Sequence, residues 1–102
     1  MKRHLVLVTF DLIKERDTNL YPRITRALKG LGLEKYALTR AGVRARLPYN
    51  TYAGNFPSKR SRGLRERLEG QVRDVLNNQG VRARFFIVAA SRWSWSKGLV
   101  KS

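Results

Sequence analysis

The segment that decides the fold runs from His4 to Leu12 and reads His-Leu-Val-Leu-Val-Thr-Phe-Asp-Leu. β-Branched and aromatic residues are enriched in strands, so this segment predicts a β-strand. Its odd and even positions are both apolar, which is typical of a strand that is covered on both faces. Residues 81–90, which read Val-Arg-Ala-Arg-Phe-Phe-Ile-Val-Ala-Ala, predict a second such strand.

Two amphipathic helices are predicted between these strands. The first follows a capping position at Thr18 or Asn19 and ends at Gly30 and Gly32. The second begins near Ser61, a candidate cap, and ends before Gly80. The apolar stripes at helical spacing are Ile24, Ala27, Leu28 and Leu31 in the first helix, and Leu64, Leu68, Val72, Val75 and Leu76 in the second.

Residues 33–38 and 50–56 predict two shorter strands, and Gly54 in the latter indicates a bulge or a close approach of another backbone segment. The stretch from Arg40 to Leu47 is either a hairpin tip or a flexible excursion. The order strand, helix, strand, strand, helix, strand predicts a single α+β domain over residues 1–102 with a ferredoxin-like βαββαβ fold. In that fold two helices cover one face of a four-stranded antiparallel sheet.

The other face of the sheet is also expected to be covered, because both faces of the outermost predicted strands are apolar. A second copy of the chain is the simplest cover, so we expect a homodimer. Residues 91–102 form a C-terminal tail that is expected to contact the partner subunit. Its Trp93 and Trp95 are expected to form a dimer seam or a lid on the core, and stacking on a nucleobase is the alternative.

Composition narrows the function classes. The chain has 102 residues, a formal net charge of +15, 42% hydrophobic residues and no cysteine. Disorder and thiolate metal sites are therefore not expected. Asp11 interrupts the short apolar run after Met1, which argues against a secretory signal, and no run is long enough for a membrane helix. We expect a cytoplasmic protein whose partner is RNA or DNA rather than a membrane.

Basic residues with few acids among them are the strongest functional signal. Arginine suits bidentate contact with phosphate, and Tyr49, Tyr52 and Phe56 lie among the candidates. The alternative is an ordinary solvated surface. About five phosphate contacts would give a slope near −4.5 for log affinity against log salt. The candidates for phosphate contact are Arg40, Arg44, Arg46, Lys59, Arg60, Arg62 and Arg65.

Asp11 is the candidate catalytic and metal-ligating residue, because it ends the first strand and its carboxylate suits Mg²⁺ or Mn²⁺. One carboxylate makes a weak site, whereas two brought together by a dimer axis could hold a metal that activates water. The alternative is that Asp11 ends the strand and caps a turn. Glu15 and Asp17 are expected to be solvated loop charges. His4, the single histidine, is expected at the surface without a serine partner.

The segment Val6-Leu7-Val8-Thr9-Phe10-Asp11-Leu12 resembles the first strand of the small ferredoxin-like CRISPR-associated nuclease and adaptation subunit, and of the related virulence-associated protein D ribonucleases. Gly30-Leu31-Gly32 and the ending Trp93-Ser94-Trp95 are also similar to that family. The resemblance implies a homodimer with one Asp11 from each subunit facing across the two-fold axis. It implies metal-dependent phosphodiester cleavage in some members and nucleic-acid scaffolding in others.

Three functions follow from these observations. The first is a dimeric, metal-dependent endonuclease of RNA or DNA. The second is a non-catalytic nucleic-acid-binding scaffold or adaptor, which could act with an additional protein partner. The third is a phage-like or toxin-like protein-interaction factor whose charge is incidental.

Overall fold

A computed structural model describes residues 2–13, 19–39 and 41–100 of the chain. It contains two helices and five strands. In chain order these are β1 (Lys2–Leu12), α1 (Leu20–Gly30), β2 (Tyr36–Leu38), β3 (Arg44–Arg46), β4 (Thr51–Ser58), α2 (Ser61–Asn78) and β5 (Ala83–Ala90). No helix among the described residues is long and apolar enough to span a bilayer.

The strands form two sheets. β1 is the central strand of a three-stranded sheet with the order β4-β1-β5, and both of its neighbours are antiparallel to it. β2 and β3 form a separate antiparallel pair. A bridge between Glu34 and Ala53, just before β2, ties the chain at the hairpin to β4 through two backbone hydrogen bonds of 2.9 and 2.8 Å.

The prediction of a four-stranded ferredoxin-like sheet with two helices on one face is therefore wrong. Its second strand does not continue along β4. Instead, after the Glu34 bridge, the chain forms three residues of β2, which pair with β3, and the N–H of Thr39 donates to the carbonyl oxygen of Val43. In the stretch expected as a hairpin tip or a flexible excursion, Arg44–Arg46 form the strand that partners β2, whereas Arg40 lies outside the described residues.

One hydrophobic core holds the helices and the sheet together. Val6, Val8 and Phe10 of β1 point into it, as the period of two along a strand requires. Of the apolar stripes predicted for the helices, Ala27, Leu31 and Val75 are only partly buried, and the other members are buried. The fully enclosed core members include Val6 and Val8 from β1, Ile24 and Leu28 from α1, Leu68 and Val72 from α2, and Leu33 and Tyr52.

His4 is buried, so the prediction of a surface histidine without a serine partner is wrong. Its Nε2–H donates to the carbonyl oxygen of Ser58 at 2.9 Å, because a carbonyl can only accept. Nδ1 then accepts from the hydroxyl of Ser61 at 2.7 Å. Ser61 is the first residue of α2, and the capping position is Arg60. The histidine therefore fixes the start of α2 against the ends of β1 and β4.

Tyr52 joins β4 to α1, and its hydroxyl makes the free energy of unfolding depend on pH in the alkaline range. Its hydroxyl shares a 2.7 Å hydrogen bond with Thr25, and its ring stacks on Phe10. Burial raises the pKa of Tyr52 above 10.0, although the hydrogen bond to Thr25 acts in the opposite direction. The folded chain therefore holds this proton to a higher pH than the unfolded chain does.

The sign of the effect follows from that difference. The contribution of the Tyr52 hydroxyl to the free energy of unfolding is fully present below about pH 10. It is lost as the pH rises further, since the unfolded state then releases the tyrosine proton first. We expect the free energy of unfolding, measured in urea from about pH 8 to about pH 11, to fall less steeply for Tyr52→Phe. Identical slopes for the two proteins would contradict this expectation.

Candidate nucleic-acid interface

The sheet has an open face on the side away from the core. Its residues are the odd-numbered positions of β1 and the positions opposite them in β4 and β5. Phe86 is 63% exposed and Val88 is 42% exposed, so this face is apolar but reached by solvent. The open face consists of Arg3, Leu5, Leu7, Thr9 and Asp11 on β1, Thr51, Ala53, Asn55 and Pro57 on β4, and Arg84, Phe86, Val88 and Ala90 on β5.

The C-terminal tail lies over one end of the open face. β5 ends at Ala90, so Trp93 and Trp95 follow the strand instead of continuing it. Both indole rings line a cavity of about 250 Å³ together with Leu5, Ala53 and other residues of the sheet and hairpin. Trp93 and Trp95 are 41% and 37% exposed. They partly cover the apolar face, as a lid would, but each keeps accessible ring surface.

The predicted phosphate-binding residues lie on separate elements. Arg44 and Arg46 belong to β3, and Lys59 and Arg60 follow the end of β4. Arg62 and Arg65 lie on α2, and Arg40 lies outside the described residues. The grouping of these residues on one phosphate-binding surface stays a prediction.

Two of the predicted arginines pair with acids on their own helix. The Nε of Arg62 lies 3.1 Å from Glu66, and Nη1 of Arg65 lies 3.2 Å from Glu69, each pair at a spacing of four residues. Pairs of this kind on a helix surface contribute only a few tenths of a kcal/mol. The two glutamates nevertheless offset part of the positive charge of Arg62 and Arg65 on the surface of α2.

The hairpin arginines are placed differently. The Arg44 guanidinium lies over the ring of Tyr36, 4.4 Å from its centroid, and Arg46 is directly opposite Tyr36 in the hairpin. Arg46 also lines a groove against the tail residues Trp95 to Leu99. Cations and aromatic rings are therefore adjacent on this side of the molecule, an arrangement that suits nucleobases and phosphates together.

The aromatic residues predicted to accompany the arginines differ in their exposure to solvent. Tyr52 is fully buried, and Phe56 is half-buried against the core, so neither ring is free to contact a base. Tyr49 is 69% exposed. Its ring contacts Tyr21, and the Lys35 ammonium lies 5.6 Å from its centroid.

Asp11 lies at the end of the open face and is exposed. Its Oδ2 is 4.0 Å from Nη2 of Arg84, the residue directly opposite it on β5. A shallow cavity of about 160 Å³ beside the pair is lined by Thr9 and Phe86 among others. The carboxylate is therefore accessible, as a metal ligand must be, but it already faces a guanidinium.

The donor set around Asp11 does not fit a divalent cation within one copy of the chain. Mg²⁺ is held by one or two carboxylates, usually with substrate phosphates, and a neighbouring cation opposes its binding. Across residues 2–13, 19–39 and 41–100, no group of three potential metal ligands comes together. Glu15 and Asp17 lie outside the described residues. The Mg²⁺ or Mn²⁺ site at Asp11 stays a prediction that needs a second carboxylate.

Arg3, Arg84 and Phe86 were missed as candidates from the sequence. Arg3 is exposed, donates from Nη2 to the Asn55 carbonyl oxygen at 3.2 Å, and lines the tryptophan cavity. The signal was present in residues 82–88, where Arg84, Phe86 and Val88 alternate with the core-facing residues. Arginine and aromatic residues at every second position of a strand place both kinds of side chain on one face.

Comparison of the whole sequence with protein-family models and with curated proteins finds no match. The case for function therefore rests on the residues and their arrangement.

Proposed function

We propose that this protein binds nucleic acid, and that exposed arginines and lysines contact its phosphates. The charge balance carries the proposal. Seven Asp and Glu residues can neutralise at most seven of the 22 Lys and Arg residues. The remaining formal charge is +15 on a domain of 11.8 kDa, and the chain's own acids cannot cancel it. A polyanion supplies the missing negative charge, and release of its counterions contributes to the binding free energy.

The position of the charge selects a surface for this interaction. The open face and the adjacent hairpin carry Arg3, Arg46 and Arg84 beside accessible aromatic rings. Phosphate contact gives affinity without sequence readout, because phosphates are the same at every position. We therefore expect weak sequence preference and strong dependence on salt.

The expected homodimer competes with nucleic acid for the same surface. Two copies that met through their open faces would bring together two chains with a net charge of +15 each, which opposes association at low salt. We therefore assign the open face to nucleic acid. The homodimer, an additional protein partner and the cytoplasmic location stay predictions.

We propose metal-dependent cleavage as a second activity of this protein only under the condition that a second carboxylate reaches Asp11. Asp11 is exposed and lies at the rim of the proposed surface, where a bound phosphodiester would be near it. Binding does not require this residue, so the two activities are separable by substitution.

The proposal is tested by titrating labelled RNA, single-stranded DNA and duplex DNA of equal length with the protein, once with a chelator and once with Mg²⁺. Each sample is divided between an anisotropy measurement and a denaturing gel. We expect binding to at least one of the three in the chelator, with the substrate intact.

Asp11→Asn separates binding from cleavage. We expect the variant to bind at least as well as the parent, because it loses a negative charge near the polyanion. Fragments that appear with Mg²⁺ and are absent with Asp11→Asn would assign cleavage to this carboxylate. Absence of binding to every substrate at low salt would contradict the proposed function and favour a protein-interaction role.

A further inference from the structure

The tail forms a cleft with the hairpin and the open face. Trp93 and Trp95 line the cavity of about 250 Å³ and also a second cavity beside Leu38. Trp95 also lines a third cavity, against residues 45–48. All three cavities share Trp95, and we call them together the tryptophan groove.

The rings in this groove are accessible and are not part of the core. Each tryptophan exposes more than a third of its surface, although both are among the largest apolar side chains of the chain. Tyr36 contributes a further ring to the same cavity. Exposed aromatic rings on a surface of high charge are poorly explained by folding alone, since burying them would stabilise the chain.

Cations surround the tryptophan groove. Arg3 lines its first cavity, and Arg46 and Lys97 line its third. Glu34 is the only acid among the described residues that line the three cavities, and its backbone is held by the bridge to Ala53. The groove therefore combines ring faces with a net positive charge, so its complement is an anion that carries planar apolar groups.

A nucleic acid has both features, but only a single strand presents them together. The bases of a duplex are stacked on each other and paired, so their ring faces do not reach a protein side chain. In a single strand each base can stack on an aromatic ring while its phosphate contacts a neighbouring arginine. A second copy of this chain lacks the charge complementarity, because it also carries a net charge of +15.

We infer that the tryptophan groove binds single-stranded nucleic acid, with bases stacked on Trp93 and Trp95 and phosphates contacting Arg3, Arg46 and Lys97. The inference rests on the proposed function and adds to it the strandedness of the substrate and the residues that select it. Ring stacking is shared by RNA and DNA, so the sugar does not enter the argument.

Tryptophan fluorescence tests this directly, because Trp93 and Trp95 are the only two tryptophans of the chain. Oligouridylate, oligothymidylate and a DNA duplex of the same length are titrated into the full protein. We expect quenching by the single strands and much less by the duplex at equal saturation, which an anisotropy label reports independently. Quenching by either single strand supports the inference.

Substitution gives a second measurement. Trp93→Ala with Trp95→Ala should weaken single-strand binding at least about 30-fold, which corresponds to about 2 kcal/mol for two stacked bases. Duplex binding should change less than about threefold. The matched control, Trp93→Phe with Trp95→Phe, keeps an aromatic ring at both positions and should retain most of the affinity. Thermal unfolding of each variant checks the fold.

Three results would overturn the inference. One is full binding of single strands without quenching. Another is equal loss of single-strand and duplex binding in the alanine variant, which would leave the proposed function standing. The third is tryptophan emission that changes with protein concentration but not with any oligonucleotide, which would make the groove an interface between copies. Absence of binding to all three substrates would contradict the proposed function itself.

Discussion

Replacement of Gly54 by alanine is expected to lower the free energy of unfolding by about 3 kcal/mol or more. Gly54 lies in β4, and a Cβ atom there would fall on the carbonyl oxygen of Gly32 and close to the Phe56 ring. Gly32 itself adopts a φ of +95° in the turn after α1, so it cannot easily move away. Relief of the clash would have to displace the backbone that leads into Leu33 and the Glu34 bridge.

Gly70 provides the matched control, since the chemical change is identical. It lies within α2, and a Cβ atom there would meet nothing within 4 Å. Gly70→Ala should therefore raise the free energy of unfolding by about 1 kcal/mol, because alanine favours the helix. Urea unfolding of the two variants measures both changes in the free energy of unfolding, which we expect to have opposite signs. An unchanged midpoint for Gly54→Ala would mean that the turn after α1 does not pack on β4.

Charge reversal in the tryptophan groove has the largest expected effect on binding. Arg3→Glu with Arg46→Glu lowers the net charge by four, from +15 to +11, and removes two arginines that line the groove. At about 1.4 kcal/mol for each lost charge-assisted contact, single-strand affinity should fall about 100-fold or more. Anisotropy titration at fixed salt measures the change.

A second double variant separates local contact from overall charge. Arg26→Glu with Arg67→Glu makes the same change in net charge on exposed positions of α1 and α2, away from the open face. We expect a loss of affinity below about fivefold for this control, because exposed charges are screened over about 10 Å at about 0.1 M salt. Equal losses in the two double variants would show that the groove has no special role.

Much of the core could be predicted from the sequence, because short local patterns of apolar residues determine which side chains are buried. β1 and β5 were predicted from continuous apolar runs, and the stripes of α1 and α2 from helical spacing, since burial of those side chains is the main favourable term in folding. Gly54 indicated a bulge or a close approach of another backbone segment, and the position of Gly32 shows that the backbone does approach closely there. These features depend on patterns among neighbouring residues, and a single sequence shows such patterns directly.

The remaining features depend on contacts between distant residues. β2 and β3 have three residues each, too few for a clear alternation, and they pair with each other instead of with β4. His4 meets Ser61 across 57 positions. The grouping of the arginines depends in the same way on how β3, the end of β4 and α2 lie relative to one another, and it stays a prediction.

The candidate site stays a proposal, and the sequence marked only part of the residues that support it. Arginine excess indicated a polyanion, yet the surface that favours one includes Arg3 and Phe86, which no motif marked. Trp93 and Trp95 were expected to form a dimer seam or a lid, with stacking on a nucleobase as the alternative. In the structure β5 ends at Ala90, and both tryptophans line a cavity against the open face, which they partly cover.

The salt dependence of binding tests the central claim most directly. The dissociation constant for a labelled single strand and for a labelled duplex is measured from about 50 to about 300 mM NaCl and plotted on logarithmic axes. With about five phosphate contacts, log affinity should fall with log salt at a slope near −3.5 for the single strand and near −4.5 for the duplex. A slope near zero, or no binding even at the lowest salt, would contradict the account.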